Sequence, residues 1–175
     1  MSKSFTINNV SLKFVHFAEP RFDEMRKEDM YSCVLQIPNT DENFNLLQAE
    51  LDDAIEYART HKAAEVADSE PYIPDLGAYV SKDYQTIDIN LNSKRPPVVY
   101  DAYGDVIEKP TMKRIKDAEV QLFCYVWVKP KLKTKWGVMF TMDALCVHDD
   151  PESIQDREDD KLPKLTFKKR KQASK

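Results

Sequence analysis

The sequence predicts a mainly β fold: a five-stranded, partly open antiparallel barrel with one α-helix inserted between its second and third strands. Three observations point there. Five segments alternate apolar and polar residues at the two-residue period of a strand, and one segment between the second and third repeats at spacings of three and four. The fourth strand is apolar on both faces, which a chain of 175 residues buries by curling its sheet on itself. The chain holds only three glycines, and no internal repeat or low-complexity stretch competes with that reading.

Phe5 to Phe17 is the first predicted strand, with Val10, Leu12 and Phe14 on one face; a slip of parity at Asn8 and Asn9 predicts a bulge. Arg21 to Asp29 is a polar connection. Tyr31, Cys33, Leu35 and Ile37 alternate with Ser32 and Gln36 in the second strand, and Pro38, which has no N–H for a ladder, ends it. Thr40 suits the cap of a helix, and Asp41 and Glu42 suit the positive end of its dipole. Phe44, Leu47, Leu51, Ala54, Ile55 and Ala58 then form one apolar stripe to about His61 or beyond.

Pro71 and Pro74 mark an irregular crossing to the third strand, where Ile87, Ile89 and Leu91 share a face until Arg95-Pro-Pro97 breaks it. Val98 to Asp101 and Val106-Ile107 predict a short hairpin, with Gly104 supplying the positive φ of its turn. Ala118 to Lys129 is the fourth main strand, with Val120, Leu122, Cys124, Val126 and Val128 on one face and Phe123, Tyr125 and Trp127 on the other. Trp136 to His148 is the fifth, with Val138, Phe140, Met142, Ala144 and Cys146 opposite Met139, Thr141, Asp143 and Leu145. These elements describe an OB-like (oligonucleotide-binding) barrel over residues 1 to 148. A charged tail follows, acidic over 149 to 160 and basic over 161 to 175, in which neither block can build a core. Barrels of this type host many functions, so side chains must decide.

Composition narrows the choice. A content of 42% hydrophobic and 32% charged residues suits one soluble domain, and no apolar run approaches the roughly 20 residues of a membrane helix. The start, Met1-Ser-Lys-Ser-Phe5, lacks the apolar core of a signal peptide, so a cytoplasmic protein without membrane contact is expected. Cys33, Cys124 and Cys146 sit in apolar segments without metal-ligand spacing and read as small core residues. His16, His61 and His148 are scattered, and Asp143 is a lone carboxylate on the last strand, suited to an Arg partner or to solvent. With no Ser-His-Asp order, P-loop or paired acids, neither an enzyme nor a metal or other cofactor is expected.

Charge is unevenly placed. The chain carries −4 in total, but residues 1 to 93 hold 8 Lys/Arg against 17 Asp/Glu, while residues 94 to 136 hold 10 against 5. A polyanion is attracted only to the second region. Within it, the loop Lys129-Pro-Lys-Leu-Lys-Thr-Lys135 carries Lys129, Lys131, Lys133 and Lys135 without an acid, and Tyr125, Trp127 and Trp136 flank it. Mobile cations beside flat rings are what single-stranded nucleic acid needs, one for its phosphates and the other for its bases. Lys113, Arg114 and Lys116 before the fourth strand, Lys94 and Arg95 after the third, and Tyr100 and Tyr103 on the short hairpin extend the candidate surface. The plainer alternative makes the lysines a solvated hairpin tip, the rings core, and Arg95 a structural hydrogen-bond donor. Phe123, deeper in its strand, is assigned to the core.

Three stretches carry a resemblance: Tyr31-Ser-Cys-Val-Leu-Gln-Ile-Pro-Asn-Thr-Asp41, Arg95-Pro-Pro-Val-Val-Tyr-Asp101 with the glycine turn after it, and the closing hairpin from Gly137-Val138 to Val147. In order and spacing, over roughly residues 5 to 150, the chain resembles the replication single-stranded DNA-binding proteins of short-tailed (podovirus-type) phages. The resemblance implies a DNA-coating protein of phage replication, recombination and repair in the cytoplasm of the infected bacterium. It further implies contacts of an acidic tail with the phage DNA polymerase and helicase-primase; a homodimer stays open. Here the chain departs from the family, since Lys164, Lys168, Lys169, Arg170 and Lys171 stand where an acidic terminus belongs. The alternative is an OB-like protein-interaction or virion scaffold domain that binds no DNA, and a lesser one an RNA-binding or nuclease-associated protein.

Overall fold

The structure, a computed structural model, describes residues 4–24, 27–61, 69–129 and 136–149. Its elements are β1 (Phe5–Asp23), β2 (Glu28–Pro38), α1 (Asp41–His61), a 3-10 turn at Leu76–Tyr79, β3 (Thr86–Ser93), β4 (Val98–Tyr100), β5 (Arg114–Val128) and β6 (Trp136–Val147). All six strands form one sheet in the order β3-β2-β1-β5-β6-β4. The sheet curls so that β3 packs on β6 without a ladder between them, leaving the barrel open. The predicted mainly β, OB-like character and the position of the helix hold; the strand count and closure differ.

β1 makes the curl. Its first half pairs with β5, from Phe5 opposite Leu122 to Lys13 opposite Arg114, and its second half with β2, from Ser11 opposite Gln36 to Asp23 opposite Glu28. Register shifts bend it, between Ile7 and Val10 and between Val10 and Leu12 against β5, and between Lys13 and His16 and between His16 and Arg21 against β2. The first lies at the expected place, where Asn9 adopts φ 59°. The shift after Lys13 is at Phe14, φ 53°, and corrects the predicted face: Phe14 is 65% exposed, and Val15 and Phe17 take the core instead. A further shift falls in β6, where Ala144 opposes Gln121 but Met142 opposes Leu122. Asp143 is the extra residue and accepts from Ser4 Oγ at 3.1 Å. Beyond it the parity reverses, so that Leu145 and Val147 are buried while Ala144 and Cys146 are only partly covered, contrary to the predicted pattern.

The sixth strand comes from the predicted short hairpin. Val99 is buried beside Leu145, and Val98 to Tyr100 pair in parallel with Ala144 to Cys146, so the hairpin keeps one bridge, Tyr100 to Val106. Its turn is as expected, with Gly104 at φ 87° and Asp101 Oδ1 accepting from the N–H groups of Tyr103 and Asp105. The helix is capped by Thr40, whose Oγ1 accepts from Asn43 N at 3.1 Å, and buries Leu47, Leu51, Ala54 and Ala58 against β5 and β6. Among the described residues no helix is long and apolar enough to cross a membrane.

Two features fix the ends of the β5–β6 pair. After α1 the chain returns to β6, where Tyr72 N donates to Trp136 O and Val138 N to Tyr72 O. A Cβ on Gly137 would stand 2.6 Å from Trp127 Cζ2 and 2.7 Å from Tyr72 O, so the close approach of three chains requires glycine there. At the other end Asp149 is buried, its carboxylate accepting from Lys116 N at 3.0 Å and Asp117 N at 2.7 Å. Asp149 therefore belongs to the folded domain rather than to the tail; residues 150 to 175 lie outside the described residues.

Candidate nucleic-acid interface

Alternation along β5 turns Val120, Leu122 and Cys124 into the core and Phe123, Tyr125 and Trp127 to the other face. In front of Phe123 and Tyr125 lies an open groove of about 690 Å³. Phe123, Tyr125 and Lys129 from β5 and its end, Thr141 of β6, Asn92, Ser93 and Lys94 from β3 and its end, and Glu28 and Met30 of β2 line it. The two rings meet edge to face, 6.4 Å between centroids at 64°. The groove thus borders the β2–β3 side and the β5–β6 loop, the region where OB barrels hold oligonucleotides.

Its electrostatics are adjustable. Lys94 Nζ lies 3.0 Å from Glu28 Oε1, with the side chains 71% and 44% exposed. An ion pair so open to water contributes little, so a phosphate can take the ammonium from the carboxylate. Lys129 is exposed at the strand end. The arrangement offers ring edges and faces for bases and two cations for phosphates. Burial pushes the Cys33 thiol up to about 12 and is the main cause of the same rise at Cys124, holding both as inert thiols. Among the described residues no three His, Cys, Asp or Glu side chains gather as a metal would need.

Of the residues selected from sequence, Lys94, Tyr125 and Lys129 meet in this groove. Trp136 does not: it is fully buried between α1 and β5, donates from Nε1 to Ser69 O at 3.1 Å and lies under the Arg59 guanidinium at 5.5 Å. A ring without exposed surface cannot stack on a base, which corrects its assignment. Trp127 shares the outer face but packs against Tyr72, centroids 6.3 Å apart, outside the groove lining. Tyr72 is itself held by a hydrogen bond with Tyr79, whose hydroxyl is pushed up to about 12 by burial and by that bond.

Lys113, Arg114 and Lys116 are exposed but precede Tyr125 by nine residues or more, roughly 30 Å of strand, and so do not line the groove. Arg95 is exposed beside Lys94, with its N–H donating to Ser93 Oγ at 3.2 Å. Tyr100 and Tyr103 belong to the β4 side; Tyr103 is 79% exposed, and neither lines the groove. Lys131, Lys133 and Lys135 lie outside the described residues. Phe123, assigned to the core from the sequence, is only half-buried and lines the groove. Its parity with Tyr125 already carried that signal, which its depth in the strand outweighed.

No family model matches the sequence, and no curated protein is significantly similar to it. Solved structures are similar. The crystal structure of gp2.5, a single-stranded DNA-binding protein encoded by bacteriophage T7, superposes with a TM-score of 0.59 at 17% identity, covering 97% of this chain and 100% of that one. The single-stranded DNA-binding protein from bacteriophage Enc34 in complex with ssDNA gives 0.58 at 19% identity, covering 84% and 86%. Its C-terminal truncation gives 0.59 at 16% identity with the same coverage. The chain therefore has the fold found in phage single-stranded DNA-binding proteins.

Proposed function

We propose that the chain binds single-stranded DNA without sequence preference and coats it during phage DNA replication, recombination and repair in the infected bacterial cell. One observation carries the reading: Phe123 and Tyr125 share a groove with Lys94 and Lys129 on the oligonucleotide-binding side of the barrel. Stacking is indifferent to base identity because every base has a π-face, and phosphate contacts read no sequence. The Enc34 neighbour, solved with ssDNA, supports the same reading by its shared fold. Coating rather than chemistry is the work assigned, with polymerase and helicase-primase as partners of the tail.

The test is fluorescence anisotropy of labelled oligo-dT with the full chain at several salt concentrations. Binding that weakens with salt, by about 0.7 in the slope of log affinity on log salt for each phosphate neutralised, is expected. Absence of binding, or affinity independent of salt, overturns the reading, and a strong preference for oligo-rU replaces DNA by RNA. The acidic residues after Asp149 compete for the same cations, so a chain ending at Asp149 binds oligo-dT more tightly than the full chain. The cut must follow Asp149, because that carboxylate is part of the fold.

A further inference from the structure

The groove does not stop at Asn92. That residue also lines a second concavity, of about 290 Å³, on the outer side of β1, β2 and β3. Phe14, His16 and Arg21 of β1, Ser32 of β2 and Asn90 of β3 form most of its wall, and no acid is among its lining residues. Phe14 is 65% exposed and held at φ 53°, in the left-handed region that a bulky residue enters only under constraint. The irregularity of β1 at Phe14 spends that strain to put a ring in water. Lys13 Nζ lies 5.7 Å from the ring centroid.

The surrounding charge is positive and ordered. Burial first, then Lys113 and Arg21, hold the His16 imidazole below its ordinary range, and Val15 N donates to Lys113 O at 3.1 Å, which sets Lys113 beside this stretch of β1. Neutral His16 accepts at Nε2 from Arg21 Nη1 at 3.0 Å and so fixes the guanidinium beside the concavity. The hairpin side between the two concavities instead carries Asp23 and Glu24, which repel a polyanion. Asn92 lines both concavities and Asn90 the second, so the two adjoin along β3.

We infer that this concavity is a second contact for the same single strand: Phe14 stacks on a base, Lys13, Arg21 and Lys113 hold the phosphates beside it, and Asn90 and Asn92 line the passage from the groove at Tyr125. The inference rests on the single-stranded DNA reading and extends it to a face that carries none of the cations expected from sequence except Lys113. Charge complementarity selects the occupant, since an exposed ring among cations with no lining acid suits a nucleic-acid strand.

The experiment is an oligo-dT length series against wild type, Phe14→Gly, Phe14→Trp and Tyr125→Ala. Glycine accepts φ 53°, so Phe14→Gly removes the ring while relieving the backbone, and Phe14→Asn serves as a second ring deletion at an angle asparagine tolerates. Both are expected to fold as wild type by thermal melting and to lose roughly five- to hundredfold affinity for long oligonucleotides, with short ones unaffected. Phe14→Trp, which keeps a flat face, retains wild-type affinity. If both deletions bind every length as wild type does while Tyr125→Ala weakens binding, the second contact is wrong and the groove stands. If wild type binds no oligonucleotide, the parent reading falls and this one with it.

Discussion

The β5–β6 hairpin builds two ring-and-cation assemblies from neighbouring residues and turns them opposite ways. At Trp136 the ring is sealed between α1 and β5 with Arg59 across its face, and the cation completes the packing. At Tyr125 and Phe123, one to two turns of the pleat away, the rings border an open groove and the cations Lys94 and Lys129 stand at its edge. The chemistry is the same in both. The difference lies in what a third segment does: Ser69 to Tyr72 closes over the first assembly through hydrogen bonds with Trp136 and Val138, and nothing comparable among the described residues covers the second. One assembly holds the fold and the other stays open to solvent.

The largest effect expected from breaking this contrast is on stability at the sealed side. Trp136→Ala should cost about 3–5 kcal/mol in chemical denaturation, by removing a buried ring and its hydrogen bond, with little change in oligo-dT affinity under conditions where the variant is folded. Tyr125→Ala should do the reverse, losing roughly 1–3 kcal/mol of binding free energy with a small change in melting temperature. If both substitutions move the same observable, the division of labour is wrong. A smaller change comes from the cations. Lys129→Gln should reduce the salt slope by about 0.7, and Glu28→Gln, which frees Lys94, should tighten binding at low salt. Titrations at several salt concentrations check both.

The smallest effect separates the second concavity from either assembly. His16 has its folded value lowered, so the fold favours the neutral ring and its contribution to stability is complete above the unfolded value of 6.5. It begins to be lost as pH falls below 6.5 and is gone below the lowered folded value, because the unfolded chain takes up the proton first. Melting temperatures from about pH 8 to about pH 5.5 should fall more steeply for wild type than for His16→Gln. Equal slopes would show that burial and the neighbouring cations do not hold the ring neutral.

Most strands and the helix were legible because periodicity is imposed by burial: Cys33, Leu35 and Ile37, or Ile87, Ile89 and Leu91, can face the core only at one parity. The bulges at Phe14 and Asp143 were not. Around each, apolar residues are adjacent rather than alternating, as in Phe14-Val15 and Ala144-Leu145, so either parity satisfies the local pattern and the partner strand decides. The parallel pairing of β4 was hidden for a related reason, since three residues carry no direction. In the site, Lys94, Tyr125 and Lys129 were found from charge and alternation, whereas Trp136 misled because a ring beside a basic loop looks the same whether a distant segment covers it or not. Phe14, His16 and Arg21 lie in a region of net negative charge, where a count over the chain conceals a local excess of the opposite sign.

Asp149, pinned by two backbone N–H groups at the start of β5, sets where everything beyond it begins. The donors, on Lys116 and Asp117, lie close in sequence to Lys113 and Arg114, at the opposite end of β5 from Tyr125. A tethered competitor acts at a local concentration fixed by its attachment point and length. The competition proposed for the acids after Asp149 would therefore be set by this anchor and the length of chain beyond it, and dilution of the protein would not relieve it.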